Sequence, residues 1–120
     1  MKKLFLLAIA LVFLSLTAYA EKFSYLINSV TNIQNGIDRD TSSKNGLIVV
    51  DTDNSILTIE GQNYQITSSA WGNYPETYFY AKSKNNQKIK ILIDYDRNYF
   101  IIDFLNGSAR KYRYIQSFIN

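Results

Sequence analysis

The sequence predicts an all-β fold, an antiparallel meander of seven or eight strands forming a small barrel or a strongly curled sheet. Two observations lead there. From Leu47 onward, short alternating apolar and polar runs are separated by Asn, Asp, Gly and Ser. The turns between those runs also set registers that agree with one another, because directly opposed residues of an antiparallel pair share a face.

The first residues stand apart from this pattern. Lys2 and Lys3 precede an apolar stretch from Leu4 to Leu16, and Ala18-Tyr19-Ala20 has the small-x-small form of a cleavage site. Residues 1–20 read as a cleaved signal peptide whose apolar part is too short to span a bilayer, and residues 21–120 as a single all-β domain. The protein is therefore expected to be exported, periplasmic or extracellular, with no membrane span once the leader is removed. Of the 13 Lys and Arg, two lie in the leader, leaving 11 against 10 Asp and Glu, a net charge of +1. Nothing in that balance points to nucleic acid.

Cysteine and histidine are both absent. Their absence excludes a disulfide scaffold, thiol chemistry, a Ser-His-Asp triad and a zinc site of the usual kind. Glu60 and Glu76 are the only glutamates besides Glu21, and nothing sets them across a cleft as a glycosidase pair requires. No catalytic residue, metal ligand or cofactor is assigned, and an enzyme is not expected.

The elements follow in order. Phe23, Leu26, Ile27, Val30 and Ile33 recur at helical spacing, with Asn35-Gly36 as a C-terminal cap, so residues 22–35 fit a short helix. Alternation through Phe23, Tyr25 and Ile27, with many β-branched and aromatic residues, fits a strand, and that reading leads. Ile37 to Gly46 reads as a polar loop. Strands are expected at Leu47–Thr52, Ile56–Glu60, Asn63–Ser68, Thr77–Ser83, Lys88–Tyr95, Tyr99–Leu105 and Arg110–Ile115.

A turn at Asp53-Asn54 pairs Val50 with Leu57 and Ile48 with Ile59. A Gly61-Gln62 turn of type II′ pairs Ile59 with Tyr64 and Leu57 with Ile66. A loop around Asn85-Asn86 pairs Tyr80 with Ile91 and Tyr78 with Ile93. The turn at Asp96-Arg97 then sets Ile93 opposite Phe100, Ile91 opposite Ile102 and Ile89 opposite Phe104. A three-residue loop over Asn106-Gly107-Ser108 places Tyr112 opposite Ile102 and Tyr114 opposite Phe100. It also aligns Lys90, Asp103 and Lys111 as an outer ladder. The expected inner face thus includes Tyr64, Tyr78, Tyr80, Tyr112 and Tyr114, and side chains are expected to fill so small a barrel.

Two surfaces are candidates for function. Phe79, Leu92 and Ile101 would form an apolar row on the outer face, flanked by Lys90 and Lys111, which the N-terminal segment could cover or an envelope protein could contact. The longest connection, Ser68 to Glu76, holds the only Trp and the only Pro. Trp71 and Tyr74 could stack on a sugar ring while Asn73 and Glu76 bond its hydroxyls, or Trp71 could fold back to plug one end of the sheet. Asp94-Tyr95-Asp96-Arg97-Asn98 has the opening of a calcium loop, but Tyr99 and Leu105 stand where that loop needs Gly and Glu, so it reads as a turn. The leading functional expectation is a non-enzymatic binding or interaction module of the cell envelope, with small-ligand or glycan binding through the Trp71 loop as the alternative.

A hairpin of Ile-Val-Val-Asp (48–51) and Ile-Leu-Thr-Ile-Glu-Gly-Gln-Asn-Tyr-Gln-Ile (56–66) is followed by a Tyr-rich strand, Lys-Ile-Leu-Ile-Asp-Tyr (90–95) and Arg-Lys-Tyr-Arg-Tyr-Ile (110–115). This cadence resembles a loose group of small exported β-meander proteins of Gram-negative bacteria. The resemblance implies an all-β fold and export. That group has no assigned activity, so the resemblance carries no functional residue across.

Overall fold

The structure, a computed structural model, describes residues 22–119. The signal-peptide reading of residues 1–20 lies outside the described residues. Eight antiparallel strands follow one another: β1 (Lys22–Gln34), β2 (Ile37–Asp51), β3 (Ile56–Ile59), β4 (Gln62–Ile66), β5 (Glu76–Lys82), β6 (Lys88–Asp94), β7 (Tyr99–Asp103) and β8 (Ser108–Ile119). Each pairs with the next, and β8 returns to β1, closing a barrel. The all-β meander expected from the alternation is therefore the observed fold, in its barrel form.

Closure depends on the N-terminal segment, which is strand throughout and not helix. Its tip is the Asn35-Gly36 turn, with φ of 50° and 80°. Positive φ at both central positions defines a type I′ hairpin turn, for which Asn-Gly is the favoured pair. That signal outweighs the helical spacing upstream of it. The polar stretch after the turn is likewise strand and not loop: β2 begins at Ile37 and pairs with β1 along its length. From Ile37 to Asn45 it is exposed, which is why it carries no apolar alternation.

The inward side chains form one core: Tyr25, Ile27, Ile48, Val50, Leu57, Ile59, Phe79, Ala81, Ile89, Ile91, Ile93, Phe100, Ile102, Tyr112 and Tyr114. Apolar inside with charges outside is the reverse of the pattern of a lipid-facing barrel. Among the described residues no helix is long and apolar enough to cross a membrane.

The registers of β2–β3 and β6–β7 are those expected, with Val50 opposite Leu57 and Ile93 opposite Phe100. Three others differ. The β3–β4 turn is Glu60-Gly61 and not Gly61-Gln62, with φ of 50° and 78°, so Leu57 faces Tyr64. A left-handed Glu is unfavourable by about 1–2 kcal/mol, and here its carboxylate is anchored by Lys44, Arg110 and Tyr112. The β7–β8 loop spans Leu105-Asn106-Gly107, because Phe104 N–H bonds the Ser108 carbonyl and Asp103 accepts from Leu105 N–H. Tyr112 therefore faces Phe100, and Lys111 faces Ile101 instead of extending the Lys90–Asp103 pair. Both changes move the pairing by an even step and keep every side chain on its expected face.

The β5–β6 turn is different in kind. Ser83 N–H bonds the Gln87 carbonyl, and Ser83 Oγ accepts from the amides of Asn85 and Gln87. Asn86 takes the left-handed φ of 63°. This three-residue loop pairs Phe79 with Ile91. The shift is odd, so Tyr78 and Tyr80 point outward, and Phe79 and Ala81 fill the core.

Candidate functional site

The antiparallel order puts the β2–β3, β4–β5 and β6–β7 connections at one end of the barrel, its mouth, and the other turns at the opposite end. A pocket of about 420 Å³ opens at the mouth, walled by Phe23, Val50, Ile66, Phe79 and Ile93. Its floor is an aromatic cluster in which Tyr25 lies 5.4 Å from Phe100 and 5.1 Å from Tyr114, centroid to centroid. Ser55, Ser68, Ser69, Thr77 and Tyr95 bring hydroxyls to an otherwise apolar lining. The interior is filled below this floor and open above it, so the expectation of a wholly filled barrel holds for only part of its length. Burial pushes the Tyr25 phenol well above its ordinary range, reinforced by Tyr95 and Tyr114. Tyr114 is raised to about 12 by the same desolvation, with Tyr95 and Asp94 adding to it. A second groove joins the first through Phe23, Tyr25 and Tyr95 and continues along Ser117, Phe118 and Ile119.

The Trp71 loop forms one wall of the mouth. Trp71 and Tyr78 exchange both backbone hydrogen bonds, at 2.9 and 2.7 Å, an isolated bridge that continues the β4 edge along β5. Directly opposed residues share a face, so Trp71 lies outside the barrel with Tyr78. Its ring stacks on Tyr78 and Tyr80, at 5.7 and 5.4 Å with interplanar angles of 25° and 30°. The indole remains 45% exposed, so it does not plug the sheet. Gly72, with φ of 122°, makes this possible, because a Cβ there would stand 2.7 Å from the Glu76 carbonyl oxygen.

Tyr74 goes elsewhere. It is 82% exposed and stacks on Tyr95 at 6.3 Å, at the mouth. Asn73 gives its carbonyl to Glu76 N–H, and Glu76 accepts from the Tyr78 hydroxyl, which raises the Tyr78 phenol. Trp71, Asn73, Tyr74 and Glu76 therefore do not converge on one sugar ring. Instead, Trp71 joins Tyr78 and Tyr80, which the expected register had turned inward.

The apolar row is broken too. Phe79 is only 4% exposed and belongs to the core. Leu92 and Ile101 stay outside as a half-buried pair, continued by Tyr78 on one side and Lys111 on the other. Lys111 pairs with Asp38 at 3.1 Å, and Lys90 sits 4.8 Å over the Tyr78 ring.

Glu60 and Glu76 lie at opposite ends of the barrel. Glu60 is held below the ordinary carboxylate range chiefly by the Tyr112 hydroxyl and by Lys44 and Arg110, against the opposing effect of burial. Asp94 accepts from the amides of Asp96 and Arg97 and pairs with Arg97 at 3.1 Å, the bonding of a capped turn. Among the described residues no cluster of three or more Asp and Glu is placed to hold a metal. Comparisons of the chain with protein-family models, with curated proteins and with solved structures give no match.

Proposed function

We propose that the protein is an exported, non-enzymatic binding module that holds a small apolar molecule in the mouth of its barrel. The observation that carries this reading is the 420 Å³ pocket, with its apolar walls and a few hydroxyls at the edge. Ligand sites favour barrel mouths and have this composition, an apolar lining with sparse polar groups that fix orientation. An apolar body would rest on Tyr25, Phe79 and Ile93, with a hydrogen-bonding group directed to Ser55, Ser68 or Thr77. The two glutamates stand at opposite ends, so they supply no acid–base pair for chemistry on a bound molecule.

The test is titration with the environment-sensitive dye N-phenylnaphthylamine, using wild type and the pocket-filling variants Thr77→Trp and Ile66→Trp. Both variants are checked for native circular dichroism. Saturable binding by wild type and at least tenfold weaker binding by the folded variants is the expected result. Equal binding by all three would place the dye elsewhere and reject the reading.

A further inference from the structure

We propose that the outer wall of β5 and β6 is a second site, for an acidic carbohydrate whose sugar ring stacks on Trp71 and whose acid groups meet Lys88 and Lys90. It is separate from the mouth pocket, and three observations carry it.

The first is the indole itself. Trp71 lies nearly flat on Tyr78 and Tyr80, which fix its plane, and almost half of its surface still faces water. A fixed, exposed aromatic face matches the apolar C–H face of a pyranose ring.

The second is a set of cations that form no ion pair. Lys82 and Lys88 stand directly opposite each other across the β5–β6 ladder, a like-charge pair that is unfavourable in a sheet. Among the described residues neither forms an ion pair, and Lys90 forms none either.

The third is where these ammonium groups point. Lys90 is opposite Asp103 in the register, yet its Nζ turns to the rings, 4.8 Å from the Tyr78 centroid and 6.0 Å from that of Trp71. Lys88 Nζ lies 4.3 Å from the centroid of Tyr80. Cation–π contact thus gathers positive charge at the border of the stacking face. A neutral sugar would use only the indole, and a simple anion only the lysines. A ring bearing a carboxylate or sulfate uses both.

Trp71 is the only tryptophan in the protein, so intrinsic emission reports on this site directly. The probes are an oligogalacturonate, a heparin hexasaccharide, a neutral oligosaccharide of similar length and sodium sulfate. The expected result is a saturable, salt-sensitive change in emission with at least one acidic oligosaccharide. Binding should weaken at least tenfold in the double variant Lys88→Gln/Lys90→Gln and, by calorimetry, in Trp71→Ala. Tyr78 and Tyr80 are left in place, and circular dichroism confirms that the variants fold. No response to either acidic oligosaccharide would overturn the proposal. So would equal binding of the neutral sugar, the same response to sulfate alone, or unchanged affinity in the lysine variant.

Discussion

Tyr112 donates its phenolic proton to Glu60, so the last strand is fastened to the β3–β4 turn at the barrel's closed end. Lys44 and Arg110 grip the same carboxylate at 2.9 and 3.4 Å. Glu60 has a folded pKa below its ordinary 4.5. A depressed carboxylate stabilises the fold above its unfolded pKa, and that contribution is lost as the pH falls through the folded value. Glu60→Gln keeps the size and the left-handed backbone while removing the charge. It should lower stability by about 1–2 kcal/mol at neutral pH. The gap from wild type should close below the carboxylate range. Urea midpoints at neutral and strongly acidic pH check this, and a constant gap would contradict it.

The inward turn of Phe79 is open to direct test. It is buried on β5 opposite Ile91. Phe79→Ala should cost about 3–5 kcal/mol, and Tyr80→Ala much less. Chemical denaturation decides it. A greater loss in the tyrosine variant would restore the other register.

Alkaline titration probes the buried phenols of the core. The Tyr114 phenol is raised to about 12 by burial, and those of Tyr25 and Tyr112 are raised by the same desolvation. A phenol raised above its ordinary 10.0 stabilises the fold fully below that pH, and the contribution is lost as the pH rises through the folded value. These three phenols should ionise together with loss of the β-sheet dichroism, near or above pH 12. Near-ultraviolet absorbance and circular dichroism, followed together, show it. Ionisation of all three near pH 10 with the fold intact would refute it.

Two glycines should respond differently to substitution. At Gly36 an added Cβ meets nothing within 4 Å, so Gly36→Ala carries only the left-handed backbone strain of φ +80°, about 1–2 kcal/mol. At Gly72 the added Cβ would also press on the Glu76 carbonyl and, at 3.0 Å, on the Tyr78 ring. Gly72→Ala should displace Trp71 and red-shift its emission, while Gly36→Ala leaves the emission unchanged. Thermal melts and emission spectra of the two variants separate the effects.

Most of the barrel was legible from Leu47 onward, because alternation assigns faces and even-step register errors leave faces intact. Tyr64, Ile66, Tyr112 and Tyr114 thus reached their expected side with different partners. The β5 strand was legible but its facing was not, because Thr77 to Ala81 offers aromatic side chains on both faces. There the turn decides, through Ser83 Oγ and a left-handed Asn86. The polar part of β2 had no alternation to read, since most of it faces water on both sides. Its signal was the Asn35-Gly36 dipeptide, which fits a hairpin better than a helix cap. At the Trp71 loop the side chains that Trp71 stacks on, Tyr78 and Tyr80, escape a sequence reading, because the expected register turns them inward.

The seam between β1 and β8 also dictates an order of events in time. The β1–β2 hairpin is local and can form as soon as Asn35-Gly36 turns. Its partner on the other side, Ser108–Ile119, comes last of the eight strands. Bringing such distant segments together carries the largest loop-closure entropy of any pairing in the barrel. Until β8 arrives, the edge of β1 is a bare row of amide groups and the aromatic floor lies open to water. Loop entropy makes closure the pairing expected to form last, and until it forms the open edge of β1 is a template for self-association.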